Sequence, residues 1–283
     1  MNISVSFEVF PPKTPAGLDT LASTVSRLAS AGPAFVSVTY GAGGTDRHRS
    51  FEAIGRVREA GGAPVAGHLT CVGQSRDEID EVLDRYLALG VEHVVALRGD
   101  PPAGVDAPYE PHPDGHRSTA ELVAAIKARR SDIDVSVSAY PERHPQSPTD
   151  AHDLDVLAAK VDAGADRAIS QMFFDDDRFL AFVDRVRAHG VEVPIVPGIF
   201  PIHSFPAVAR FAARCGATIP SSVADRFDGV DDDPDATREI AADFAAQQIR
   251  HLADHGVEHV HLYTLNRADL ALAVCRRLSL VPA

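Results

Sequence analysis

Cysteine is scarce in this chain. Cys71, Cys215 and Cys275 are odd in number and form no CxxC pair. That excludes a disulfide framework and a zinc–thiolate site and points to a reducing compartment. Lysine is equally sparse, at Lys13, Lys127 and Lys160 only, so arginine supplies most of the positive charge. Positive charge is nonetheless in deficit: the formal net charge is −13, which argues against nucleic acid or an anionic membrane surface as partner. No apolar run approaches the ~20 residues that a membrane-spanning helix needs. The amino terminus enters a strand pattern without a basic leader or apolar h-region, so a soluble, cytoplasmic protein is expected.

Several catalytic and binding signatures are missing as well. No GxSxG elbow or HExxH helix occurs, and no cysteine sits beside a histidine in a recognisable nucleophile arrangement. The Gly41-Ala42-Gly43-Gly44 turn lacks the GxGxxG spacing of a dinucleotide fingerprint. The acidic run Asp231-Asp232-Asp233 lacks EF-hand spacing and reads as a solvated loop. His259 and His261 share a strand face, but with no nearby carboxylate cluster they read as polar strand residues, and no metal is expected.

What is present is a regular alternation. Short β-branched runs at 4–10, 34–40, 64–71, 93–100, 134–140, 167–174, 193–200 and 259–266 read as strands. Amphipathic stretches at 18–30, 76–89, 119–129, 152–163, 177–189 and 237–255, and one beginning after Asp269, read as helices. Gly32, Gly62, Gly90, Gly164, Gly190 and Gly256 mark helix-to-strand returns. Eight strand–helix units in 283 residues predict an α/β fold, a single-domain (β/α)8 TIM barrel over 1–283, with an acidic insertion at about 216–235 before the last strand.

In such a barrel the site lies at the carboxyl ends of the strands. Strand 1 alternates Val5, Phe7 and Val9 against Ser4, Ser6, Glu8 and Phe10, then stops at Pro11-Pro12. A carboxylate at that end is costly to bury unless paired or protonated. The other strand ends supply Thr39, Tyr40, His68, Thr70, Arg98, Gly99, Asp100, Tyr140, His144, Gln171, Tyr263 and Arg267. Each alone has a structural explanation: a satisfied barrel histidine, a turn-shaping Asp100, an Arg98–Asp100 ion pair, a polar barrel layer. Converging on one face, they suit a cofactor site, with cations for phosphates, aromatics for a planar ring and two acids for proton work.

Seven ordered blocks carry a resemblance. Phe7-Glu8-Val9-Phe10-Pro11-Pro12, Val38-Thr39-Tyr40-Gly41-Ala42, His68-Leu69-Thr70-Cys71 and Ala96-Leu97-Arg98-Gly99-Asp100 are four of them. Ala139-Tyr140-Pro141-Glu142, Lys160-Val161-Asp162-Ala163-Gly164-Ala165 and Leu262-Tyr263-Thr264-Leu265-Asn266-Arg267 complete the set. From about residue 3 to about 280 the chain resembles bacterial, FAD-dependent 5,10-methylenetetrahydrofolate reductases. The resemblance implies FAD as cofactor, NADH or NADPH as electron donor, methylenetetrahydrofolate as substrate and 5-methyltetrahydrofolate as product, supplying methyl groups for methionine synthesis; it also implies a homo-oligomer.

Carried over position by position, it makes Glu8 the general acid for folate ring opening and Asp100 the acid beside the flavin. Thr39, His68, Arg98, Gly99, Asp100, Tyr140, His144, Asp153 and Lys160 would contact FAD. Gln171, Phe211, Tyr263 and Arg267 would contact folate. Val156 and Ala207 stand where the family has a polar cofactor-side and a glutamine substrate-side position. Two other readings of the same residues are a flavin-independent reductase of the same folate and a non-catalytic folate- or flavin-binding subunit.

Overall fold

The computed structural model describes residues 3–40, 47–101, 104, 107–230 and 232–282. The glycine run at 41–44, Pro102 and Asp231 lie outside the described residues. The chain alternates strand and helix from the start: β1 (Ser4–Val9), α1 (Pro15–Leu28), β2 (Val36–Val38), α2 (Arg47–Ala60), β3 (Val65–Thr70), α3 (Arg76–Ala88), β4 (His93–Leu97) and α4 (Thr119–Arg129). It continues through β5 (Asp134–Ala139), α5 (Asp150–Asp162), β6 (Arg167–Ser170), α6 (Asp176–Ala188), β7 (Ile195–Val196), β8 (Gly198–Ile199) and α7 (Phe205–Cys215). The remainder is α8 (Ser221–Ala224), α9 (Pro234–Asp254), β9 (His259–Tyr263) and α10 (Ala268–Arg277).

Local chemistry sets these limits. Ser75 accepts from the Glu78 N–H while Glu78 reaches back to the Ser75 N–H, a capping box that starts α3. Ser118, Thr149 and Asp175 cap α4, α5 and α6 in the same way with one side-chain acceptor each. Gly90, Gly190 and Gly256 take positive φ at the helix-to-strand returns.

All strand pairs are parallel, in the order β7-β6-β5-β4-β3-β2-β1-β9-β8. The nine strands form a nearly closed α/β barrel of TIM-barrel type; eight strands were expected. The extra one arises at Pro197, which has no N–H and divides the expected seventh strand. Ile195–Val196 pairs with β6, and Gly198–Ile199 pairs with β9. One proline therefore joins the two ends of the sheet order.

Two cores follow from strand alternation. Val5, Phe7 and Val9 face outward into the main core under the helices, at 2% exposure or less. The barrel interior holds a smaller apolar cluster of Phe35, Ala66, Val95, Ile169 and Val196. Polar inward residues surround it. Phe35 stacks on His261 at 5.6 Å and meets His93 edge-on at 4.4 Å.

The 216–235 segment is more ordered than a solvated loop. It folds into α8 and a 3₁₀ turn, burying Val223 and Phe227, and Phe227 stacks on Phe205 at 5.7 Å. Its described aspartates are exposed, and Asp233 caps α9.

Candidate active site

At the carboxyl ends of the strands lies a cavity of about 480 Å³, a size ordinary for a small-molecule site. Glu8 sits in its wall with its side chain 23% exposed. The backbone there is tightly held. The Glu8 carbonyl accepts from the Thr264 N–H at 3.2 Å and its hydroxyl at 2.6 Å. Asn266 exchanges two hydrogen bonds with the Phe10 backbone, 3.0 Å from the Phe10 N–H and 2.9 Å to its carbonyl. These bonds hold Leu265 and Asn266 at φ 50° and 56°, left-handed positions that cost non-glycine residues free energy.

Burial raises the Glu8 pKa, and the nearby His68 opposes that rise only in part. His68 Nε2 lies 3.5 Å from the Glu8 carboxylate, and His261 Nε2 lies 3.9 Å away. Burial pulls His68 down to about 4 and His261 to about 3, so both rings are neutral near pH 7. Behind them, Ser6 Oγ lies 2.7 Å from His261 Nδ1 and 2.9 Å from His259 Nε2. The pair on β9 is thus held by Ser6. Among the described residues no three His, Cys, Asp or Glu side chains group as a metal site.

Thr39, His68, Arg98, Gly99, Asp100, Tyr140, His144, Gln171 and Tyr263, all strand-end residues, line this cavity with Glu8, and Phe211 of α7 joins them. Arg98 lies over the Tyr109 ring at 4.9 Å and donates to Gln146. Gly99 has φ +83°, and a Cβ there would meet Val72 at 2.4 Å, so the Arg98–Asp100 turn needs glycine. Tyr140 meets His144 edge-on at 4.7 Å. Tyr263 donates to the Ser170 carbonyl at 2.8 Å, and its ring lies 6.0 Å from Phe200. Phe211 is 44% exposed and tilts against Phe200 at 5.8 Å.

Three of the expected residues stand off the cavity. Asp153 accepts from the His144 N–H at 2.9 Å and from the Ser147 hydroxyl, which shapes the loop carrying His144. Lys160 is buried, its pKa lowered to about 8 by that burial, and its ammonium donates to the Ser138 carbonyl at 2.5 Å. Arg267 precedes α10 and lines a small crevice behind Tyr263. Sequence reasoning missed Phe200, Ser138 and Met172 as cavity residues. Phe200 was within its reach, because it ends the expected seventh strand.

The donor set fits a polar ring system. His68 and Thr70 line the cavity, and among the described residues the buried His68 Nε2 and Thr70 Oγ1 have no hydrogen-bond partner. Orphaned polar atoms of this kind are costly unless a ligand meets them.

The chain matches the family model described as methylenetetrahydrofolate reductase over residues 1–279. It is 42% identical to the 5,10-methylenetetrahydrofolate reductase of Pectobacterium carotovorum, covering 99% of this chain and 92% of that protein. It is 41% identical to the enzyme of the same name from Escherichia coli K12, with the same coverage. Among solved structures, an uncharacterised Clostridium thermocellum protein described as binding two copies of 5-methyl-5,6,7,8-tetrahydrofolic acid superposes with TM-score 0.63 at 11% identity, over 98% of this chain and 96% of that one, a likeness of fold. The barrel, the Glu8 cavity and this full-length similarity together make the chain an oxidoreductase that belongs to the methylenetetrahydrofolate reductase family, in its bacterial form.

Proposed function

We propose that the protein reduces 5,10-methylenetetrahydrofolate to 5-methyltetrahydrofolate with electrons from NADH or NADPH, using bound FAD and Glu8 as general acid. The observation that carries this reading is Glu8 itself: a carboxyl group in the cavity wall whose pKa is raised by burial, and which therefore holds its proton closer to neutrality.

FAD, when bound, supplies a two-electron carrier between nicotinamide and folate. His68, Thr70, Thr39, Arg98, Gly99, Tyr140 and His144 line the cavity that would hold it. Asp153 would act by holding the His144 loop, and Lys160 by bracing the Ser138 end of β5. Glu8 donates its proton to N10 of the folate, which opens the five-membered ring and leaves a cationic iminium at N5 as hydride acceptor. The Asp100 carboxylate at the rim stabilises that cation. Gln171, Phe211 and Tyr263 border the remaining space and would orient the pterin, with Arg267 behind Tyr263.

The purified chain should be yellow, bleach with NADH or NADPH, and regain colour on adding methylenetetrahydrofolate. A colourless protein that still turns over would favour the flavin-independent reaction, and an isolated chain with no turnover would favour a binding subunit.

A further inference from the structure

Beside the main cavity runs a second cleft, of about 790 Å³, whose charge is at odds with the rest of the molecule. Among the described residues Arg143, Arg178, Arg185 and Arg214 line it, with Glu142 and Asp150 as the lining acids, and Arg178 also pairs with Asp175 at 3.4 Å. Among the described lining residues, four cations less two anions leave a surplus of two positive charges, in a chain of net charge −13. Glu142 is already engaged: it pairs with Arg178 at 2.8 Å and accepts from the Thr218 N–H at 2.8 Å and its hydroxyl at 2.6 Å. Among the described residues Arg143, Arg185 and Arg214 form no ion pair. Exposed small residues, Ala181 and Ala213, leave room between the guanidinium groups.

The cleft and the cavity share walls. In the β5–α5 loop, Tyr140 and His144 face the cavity, while Pro141, Arg143 and Pro145 face the cleft. On α7, Phe211 faces the cavity and Arg214, three residues on, faces the cleft. Residues so spaced lie roughly 5–6 Å apart on one side of a helix. A ligand with its ring in the cavity and its far end passing over Phe211 therefore arrives among the arginines. Guanidinium forks match carboxylates and phosphates, and a concentration of them in a concave site draws in anions.

We propose that this cleft is a subsite for the oxyanion-bearing end of an elongated ligand whose ring occupies the main cavity. The inference rests on the proposed function for the ligand's identity. Both substrates of that reaction have the required form: folate ends in glutamate carboxylates, and the nicotinamide donor carries phosphates.

The test uses Arg185→Glu and Arg214→Glu in the full chain. Arg130→Glu, which makes the same charge change at an exposed Arg130–Asp132 pair just before β5, serves as control. KM is measured for folate substrate bearing one or three glutamates, and for NADH and NADPH. The cleft variants should raise at least one KM about tenfold, the loss expected for a charge-assisted contact. A rise that grows with glutamate number assigns the cleft to the folate tail; a rise for the dinucleotides assigns it to their phosphates. If every KM stays within about twofold of the Arg130→Glu value, the proposal fails, even if inorganic pyrophosphate binds. If the chain shows no folate turnover, the proposed function fails separately, and calorimetric titration with inorganic pyrophosphate decides the cleft. Binding weakened about tenfold by the cleft variants, but not by Arg130→Glu, would support it. Absent or unaltered binding would overturn it.

Discussion

Glu8 shows how far a single residue can be read and where the reading ends. Alternation in β1 places it opposite the buried Val5, Phe7 and Val9, and the double proline places it at the strand's end. Its neighbours are another matter. His68 comes from β3 and His261 from β9, and only barrel closure brings both within 4 Å of its carboxylate. The expected consequence is kinetic. Because the acid works protonated, the folate half-reaction should be constant at low pH and fall as pH rises through the raised Glu8 pKa. Glu8→Gln keeps the shape but cannot supply the proton. It should leave reduction by NADH or NADPH in place and slow the folate step about 10²–10⁴-fold in stopped-flow absorbance. Equal loss of both steps would remove Glu8 from this role.

Among the elements, those with dense apolar periodicity match their sequence patterns closely; α4 runs Thr119–Arg129 as expected. Two helices, α2 and α7, have no counterpart among the expected helical stretches. In α2 only Ser50, Ala53, Ile54 and Val57 are buried, among four arginines. In α7 the buried positions are only Val208 and Ala212, and Pro206 sits in the first turn. The β7–β8 break is legible at Pro197-Gly198, although the run 193–200 was expected as one strand. Its geometry is set by neighbours: a Cβ on Gly198 would meet the Ser170 carbonyl at 2.2 Å and the Tyr263 ring at 2.6 Å. Gly198→Ala should therefore cost roughly 1–3 kcal/mol, lower the melting temperature by several degrees in a thermal scan, and displace Tyr263 from the cavity. An unchanged melting temperature would show that β6 and Tyr263 can yield.

For the whole molecule, the barrel interior couples stability to pH. His261, His259 and His68 have pKa values lowered by burial to about 3, 4 and 4, against about 6.5 in the unfolded chain. The unfolded chain binds the extra protons, so the stability these three rings contribute is full above about pH 6.5 and declines as pH falls toward 4. His261 alone should account for a loss on the order of 3 kcal/mol by pH 4. The melting temperature of His261→Asn should fall less steeply with acid than that of the parent protein. An equal slope in both would place the acid sensitivity elsewhere. Ligand linkage acts in the opposite direction: FAD at about 100 times its dissociation constant should stabilise the fold by about 2.7 kcal/mol, visible as a rise in melting temperature. No rise would argue against FAD binding to the native barrel.

The sequence by itself determined what repeats locally. Alternation of period two, helical periodicity, caps and return glycines specify strand–helix units in order, and strand ends name most of the cavity residues. Only the tertiary structure decided which of them meet. The family resemblance assigns Asp153 and Lys160 to the cofactor, yet the fold directs one to a loop N–H and the other to a strand carbonyl. The arginine cleft has no linear signature at all. Its cations come from a loop and two helices, and their repulsion becomes a feature only when closure of the barrel sets those elements side by side.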